Sequence, residues 1–147
     1  MINLYFHTND PSKRKAVQWF TQHGIAVNQR NLDKEPLTTH EVLDLLSISY
    51  DGTEELLSKR SRATKELNLD LDQITMNQFM QLASDNPHIL RNPIIFNDTK
   101  LVTGFDQEKM GVFVPKRQRR LELNRLIDHI SPNRPYDQPE PVTIQNH

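Results

Sequence analysis

Cysteine is absent from all 147 residues. That absence removes disulfides, thiolate nucleophiles, cysteine-ligated zinc and thiol redox sensing together. Net charge is almost absent as well: 18 Lys and Arg against 19 Asp and Glu leave −1. No chain-wide basic field therefore recruits nucleic acid. Long apolar runs are missing too, and none approaches the ~20 residues of a membrane span. The opening Met1-Ile2-Asn3-Leu4-Tyr5-Phe6 is too short for a signal peptide, lacks a basic start and meets polar residues at His7. These absences point to a cytosolic chain with no membrane partner. The six histidines, at 7, 23, 40, 88, 129 and 147, show no metal-ligand spacing of the HExxH kind, so no metal and no other cofactor is expected.

Apolar residues make up 35% of the chain and charged residues 25%. This balance supports a modest core under a well-solvated surface, in one domain or one with a small inserted lobe. Ile2 to Phe6 predict a buried strand. Asp10-Pro11 open a helix, with Asp at the N-cap and Pro at the first helical position. Ala16, Val17 and Phe20 share its apolar face, widened by Trp19, and Gly24 ends it. Ile25 to Val27 predict a second strand. A strand-helix-strand start favours parallel pairing through a right-handed crossover.

The middle predicts helices. Thr38 with Glu41, and Thr75 with Gln78, are spaced as capping boxes. Asp51-Gly52 breaks the chain between helices, and Thr53 is placed to cap the next one, which carries Leu56 and Leu57. Pro93-Ile94-Ile95-Phe96 and Leu101-Val102-Thr103 flank four turn-type residues and predict a β-hairpin. Asp106 is placed to cap a short helix through Met110. Leu123, Leu126, Ile127 and Ile130 recur at helical spacing, after a basic cluster from Lys116 to Arg120. The four prolines beyond Ser131 predict a disordered tail over 131–147. The expected fold is α/β: a thioredoxin-like mixed sheet within residues 1–130, with a helical lobe inserted at about 33–83.

Several stretches, in order, resemble the Spx branch of the arsenate reductase family. They are Leu4-Tyr5, Pro11-Ser12-Lys13-Arg14-Lys15-Ala16 with Trp19, Pro36-Leu37-Thr38, and Asp51-Gly52-Thr53-Glu54-Glu55-Leu56-Leu57-Ser58-Lys59-Arg60-Ser61. Asn86-Pro87, Leu90-Arg91-Asn92-Pro93-Ile94-Ile95 and Val102-Thr103-Gly104-Phe105-Asp106 complete the set. The match runs to about residue 120. The resemblance implies a transcriptional regulator that binds the C-terminal domain of the RNA polymerase α subunit and alters promoter use under stress. Promoter DNA is then met only indirectly, through polymerase, and a protease adaptor is a further candidate partner. The family's disulfide switch is a CxxC pair at the start of the first helix, and its positions are Asp10 and Lys13 here. The arginine that would precede the proline is Asn92, although Arg91 remains. Gly52 matches the glycine at the α-subunit contact, and Pro93 matches a proline held in cis.

Each candidate has an ordinary reading beside the functional one. Asp10 and Lys13 could form an ion pair mimicking one state of the switch. An exposed pair is worth only ~0.3–0.5 kcal/mol, so an N-cap aspartate beside a solvated lysine is the simpler account. Ser12 with His7 lacks an orienting third group and an oxyanion motif, and no catalytic residue is assigned. Gly52 suits a turn that needs positive φ, and the same missing side chain admits a close partner. Asp51 precedes it, and Tyr50 has the amphipathic ring favoured at interface hot spots. Arg60 matches a family arginine. Lys59 and Arg62 flank it and suit acidic partner residues or promoter phosphate. Two rival functions stand: a non-productive competitor of a cysteine-containing relative, and a degenerate reductase with a non-thiol activity.

Overall fold

A computed structural model describes residues 1–115 apart from 69 and 71. A four-stranded sheet organises residues Met1–Phe113. Strand β1 (Ile2–Phe6) leads to helix α1 (Pro11–Gln22) and strand β2 (Val27–Asn31). Four helices follow: α2 (Thr39–Ile48), α3 (Thr53–Leu56), α4 (Arg62–Leu67) and α5 (Met76–Asp85). Strands β3 (Ile94–Phe96) and β4 (Leu101–Thr103) then complete a sheet of order β2-β1-β3-β4. β1 runs parallel to β2 and antiparallel to β3, and β3 and β4 form the predicted hairpin. This is the expected thioredoxin-like mixed sheet, with the helical insertion between β2 and β3.

The local chemistry explains most boundaries. The Asp10 side chain accepts from the Lys13 N–H at the start of α1, where Pro11 needs no donor partner. Both capping boxes form, Thr38 with Glu41 and Thr75 with Gln78. Leu4, Phe20, Ile94 and Ile95 are fully buried about the sheet. Leu45, Leu56, Phe79 and Ile89 belong to a core cluster of the helices that reaches Ile94. Burying a side chain of Leu or Phe size contributes about 1.5–3 kcal/mol, so this cluster seats the short helices that could not persist alone.

Three expectations need correction. The second strand begins at Val27, not Ile25, because Ile25 N–H still bonds the carbonyl of Phe20 and helps close α1 after Gly24 at φ +65°. The strand itself is polar, Val27-Asn28-Gln29-Arg30-Asn31, since it lies at the sheet edge and needs no continuous apolar run. Thr53 does not cap α3; Gly52 occupies that position without a side-chain bond, and Thr53 is the first helical residue. Asp106 caps only a turn, accepting from Glu108 N–H at 3.0 Å, and a 3₁₀ turn over Met110–Phe113 follows it. Helix α4, absent from the sequence reading, starts where Ser61 accepts from Thr64 N–H. The basic cluster at 116–120, the amphipathic stretch to Ile130 and the tail lie outside the described residues.

Candidate functional site

The loop between β1 and α1 is stitched to the residue before a cis peptide bond, Asn92-Pro93. Asn92 Oδ1 accepts from the N–H of His7 (2.8 Å) and of Thr8 (3.3 Å), while its Nδ2 donates to the Thr8 carbonyl (2.8 Å). One neutral side chain thus satisfies three backbone groups of the loop. At its end, Asp10 Oδ1 accepts from Lys13 N–H at 2.9 Å. The Lys13 ammonium lies 4.4 Å from the centre of the Phe6 ring, a cation–π arrangement. Among the ion pairs of the described residues there is no Asp10–Lys13 pair. The two positions hold a helix cap and a ring-stacked cation.

His7 is committed on both nitrogens. Leu90 offers a carbonyl 2.9 Å from Nε2, so Nε2 carries the proton and donates. Nδ1 then accepts from the Thr8 hydroxyl at 2.8 Å. Burial lowers the pKa of His7, the Leu90 carbonyl opposes that effect, and nearby His88 reinforces it. The two imidazoles lie 4.4 Å apart, and His88 Nε2 meets the Asp33 carboxylate at 2.9 Å. Ser12 is not a partner of either His7 nitrogen, so the imagined nucleophile–base couple has no base to use. A cleft of about 380 Å³ opens beside the two imidazoles, lined also by Ser61, Arg62, Glu66 and Asn86. Arg62 is drawn to Glu66 at 3.3 Å across one helical turn, on an exposed face.

The turn between α2 and α3 presents Tyr50, Asp51 and Gly52. Tyr50 is 94% exposed, the most exposed large apolar side chain among the described residues. Gly52 has φ +64° and ψ −130°, a backbone region disfavoured for side chains, and a Cβ built there would meet nothing within 4 Å. The glycine is needed for the turn, and the space in front of it is open. Glu55 Oε1 accepts from the N–H groups of Tyr50 (2.7 Å) and Asp51 (3.2 Å), which brings the three turn residues into one arrangement. Lys59 and Arg60 are exposed in the connection from α3 to α4, and Arg62 opens α4.

Arg91 binds backbone. Its Nη2 donates to the Glu54 carbonyl (2.9 Å) and its Nε to the Leu57 carbonyl (3.2 Å). Its own N–H bonds the Leu56 carbonyl at 2.8 Å. The roles of Glu55, Asn92 and Arg91 went unseen in the sequence. A glutamate three residues after the cap position, Gly52, was a signal for the first; the other two join segments far apart in the chain, which local spacing does not report.

Comparison with known proteins gives the family and the fold. The profile of the ArsC family matches residues 8–113. The chain belongs to the ArsC family. Within it, the chain is 37% identical over 125 residues to the global transcriptional regulator Spx of Enterococcus faecalis, covering 85% of this chain and 95% of that protein. It is 34% identical over 131 residues to the Spx of Staphylococcus epidermidis, covering 87% of this chain and the whole of that one. Among solved structures, an ArsC family related protein from Bacteroides fragilis superposes with a TM-score of 0.68 at 18% identity, covering 75% and 96% of the two chains. An arsenate reductase from Vibrio cholerae superposes at 0.61 with 16% identity, covering 69% and 87%. These structures support the fold. This ArsC family chain carries no thiol at all.

Proposed function

We propose that this ArsC family chain is a transcription regulator that docks on the C-terminal domain of the RNA polymerase α subunit, works without a thiol switch and is not an enzyme. The relatives named Spx support the regulatory reading, and the absence of cysteine supports thiol independence. The observation that carries the docking surface is Tyr50, 94% exposed beside the open face of Gly52. An aromatic ring held out in solvent offers large contact area at small entropic cost, and a glycine beside it lets a partner surface approach. Arg60, with Lys59 and Arg62, supplies positive charge for acidic residues of the α subunit or for phosphate of promoter DNA met through polymerase. Such a protein works in the cytoplasm, where a protease adaptor is a further candidate partner.

The test is titration of the purified α C-terminal domain against the parent and three variants. Tyr50→Ala removes only an exposed ring, so the fold should stand and affinity should fall tenfold or more, about 1.4 kcal/mol. Gly52→Ala isolates the cost of the backbone conformation, of the order of 1–3 kcal/mol. Gly52→Arg adds bulk on the open face, so it should bind more weakly still than Gly52→Ala. Binding by Tyr50→Ala and by Gly52→Arg as tight as the parent's would reject this surface.

A further inference from the structure

Helix α3 is four residues long, Thr53–Leu56. A helix of that length does not hold itself in water, where even ~12 residues are marginal. Its far end is bolted down. The Arg91 guanidinium donates to the carbonyls of Glu54 and Leu57, the Arg91 N–H bonds Leu56, and Leu56 is fully buried. Its near end has no such anchor, because Gly52 stands at the cap position with no side chain to accept the first amides. The Tyr50 ring is almost wholly in solvent and fixes nothing.

Glu55 fills that gap. A glutamate in the third helical position ordinarily reaches back to the amide of the capping residue. Here Oε1 reaches beyond it, to the N–H groups of Asp51 at 3.2 Å and Tyr50 at 2.7 Å. Both bonds have a carboxylate as acceptor, the stronger class of hydrogen bond. One half-buried carboxylate therefore gathers two amides that precede a glycine, the residue least able to keep a conformation unaided.

We propose that Glu55 is a positioning residue for docking: its carboxylate presets the Tyr50-Asp51-Gly52 turn in the shape that the α-subunit domain grips. The proposal rests on the docking role argued above. Its physical basis is preorganisation. A partner that requires one turn shape binds in proportion to the fraction of molecules already in it. If loss of Glu55 leaves about a tenth of molecules in that shape, affinity falls about tenfold. Glutamine keeps a carbonyl oxygen at the same reach, so Glu55→Gln should restore most of the loss seen in Glu55→Ala. An effect of charge alone would not be rescued in that way.

The experiment reads two quantities on full-length parent, Glu55→Ala and Glu55→Gln. The first is hydrogen-exchange protection of the Tyr50 and Asp51 amides in the free proteins. The second is affinity for the purified α C-terminal domain. The expected result is loss of protection at both amides in Glu55→Ala, protection elsewhere in the sheet unchanged, affinity about tenfold weaker, and recovery of both in Glu55→Gln. Protection lost with affinity unchanged overturns the positioning role while leaving the docking site standing. Protection retained in Glu55→Ala overturns the proposal at its first step. A parent that does not bind the α domain overturns the docking role, and the positioning role with it, whereas the exchange data still report whether Glu55 holds the turn.

Discussion

At the scale of single residues, Asp10, Lys13 and Asn92 all serve structure. Asp10 caps α1, Lys13 rests on Phe6, and Asn92 ties down the loop that carries His7. His7 is the residue whose state should respond to acid. Burial holds its pKa below the ordinary ~6.5. The folded protein therefore binds fewer protons than the unfolded chain in the window between the lowered value and about 6.5. Stability from this group is complete above that window and is lost as pH falls through it. The groups facing the ring all matter: His88 opposes the charge, while Asp33 and Asp10 favour it. A urea midpoint measured from pH 8 to 5 should be flat at first and then decline below about 6.5. In His7→Gln the decline should be clearly smaller, and an identical decline would assign it to another group.

The Asp10 cap and both capping boxes were legible in the sequence because they are local: donor and acceptor lie three residues apart. The bonds from Asn92 to residues 7 and 8 span more than 80 positions, and no local pattern announces them. The Asp33–His88 contact is hidden for the same reason.

At the scale of elements, one ion pair joins edge strand β2 to the helical insertion. Arg30 on β2 makes a two-pronged contact with Glu41 on α2, at 2.6 and 3.0 Å. The same guanidinium donates to the carbonyls of Glu35 and Pro36 and lies over the Tyr5 ring. Its side chain is 17% exposed and that of Glu41 32%, so solvent screens the pair only in part. Arg30→Ala should cost about 2 kcal/mol, the scale of hydrogen bonds to charged groups. Glu41→Gln should cost less, because glutamine can keep the capping box with Thr38. Urea titration of both singles and the double variant gives the coupling, and an additive double would show that the pair contributes nothing. The Arg30 bond holds the Glu41 carboxyl below its ordinary range. Its contribution is thus present above the unfolded value, about 4.3, and lost as pH falls through the lower folded one.

Elements were legible in proportion to their length and pattern. Helices α1, α2 and α5 carry ten or more residues with caps and an apolar face. The polar strand β2 was misplaced, and six-residue α4 was missed. Both take their form from neighbours: β2 pairs along the whole of β1, and α4 buries only Thr64 fully, with Ala63 and Leu67 packed part-buried against the core.

At the scale of the whole molecule, the proposed regulator has no thiol with which to sense oxidants. Docking on the α-subunit domain should be the same after mild diamide, which oxidises thiols, and after reductant. A reversible change of more than about threefold, roughly 0.65 kcal/mol, would refute that independence. The complementary variant, Asp10→Cys with Lys13→Cys, puts two thiols at the first turn of α1, where the parent already joins these positions through the capping bond. It should form an intramolecular disulfide, with diamide taking up the two hydrogen atoms, read as the loss of their mass from the protein.

Among the described residues the sheet ends at β2 and β4, and both margins are poor invitations to another strand. β4 is three residues long, and β2 ends in Asn28-Gln29-Arg30-Asn31 with Arg30 folded back onto the helices. Short or polar margins discourage chains from adding on edge to edge. A chain with no cysteine, and so no disulfide to protect it, gains resistance to aggregation from this border. Among the described residues, backbone pairing at these margins is thus disfavoured, which favours contact through turns and side chains such as the exposed Tyr50.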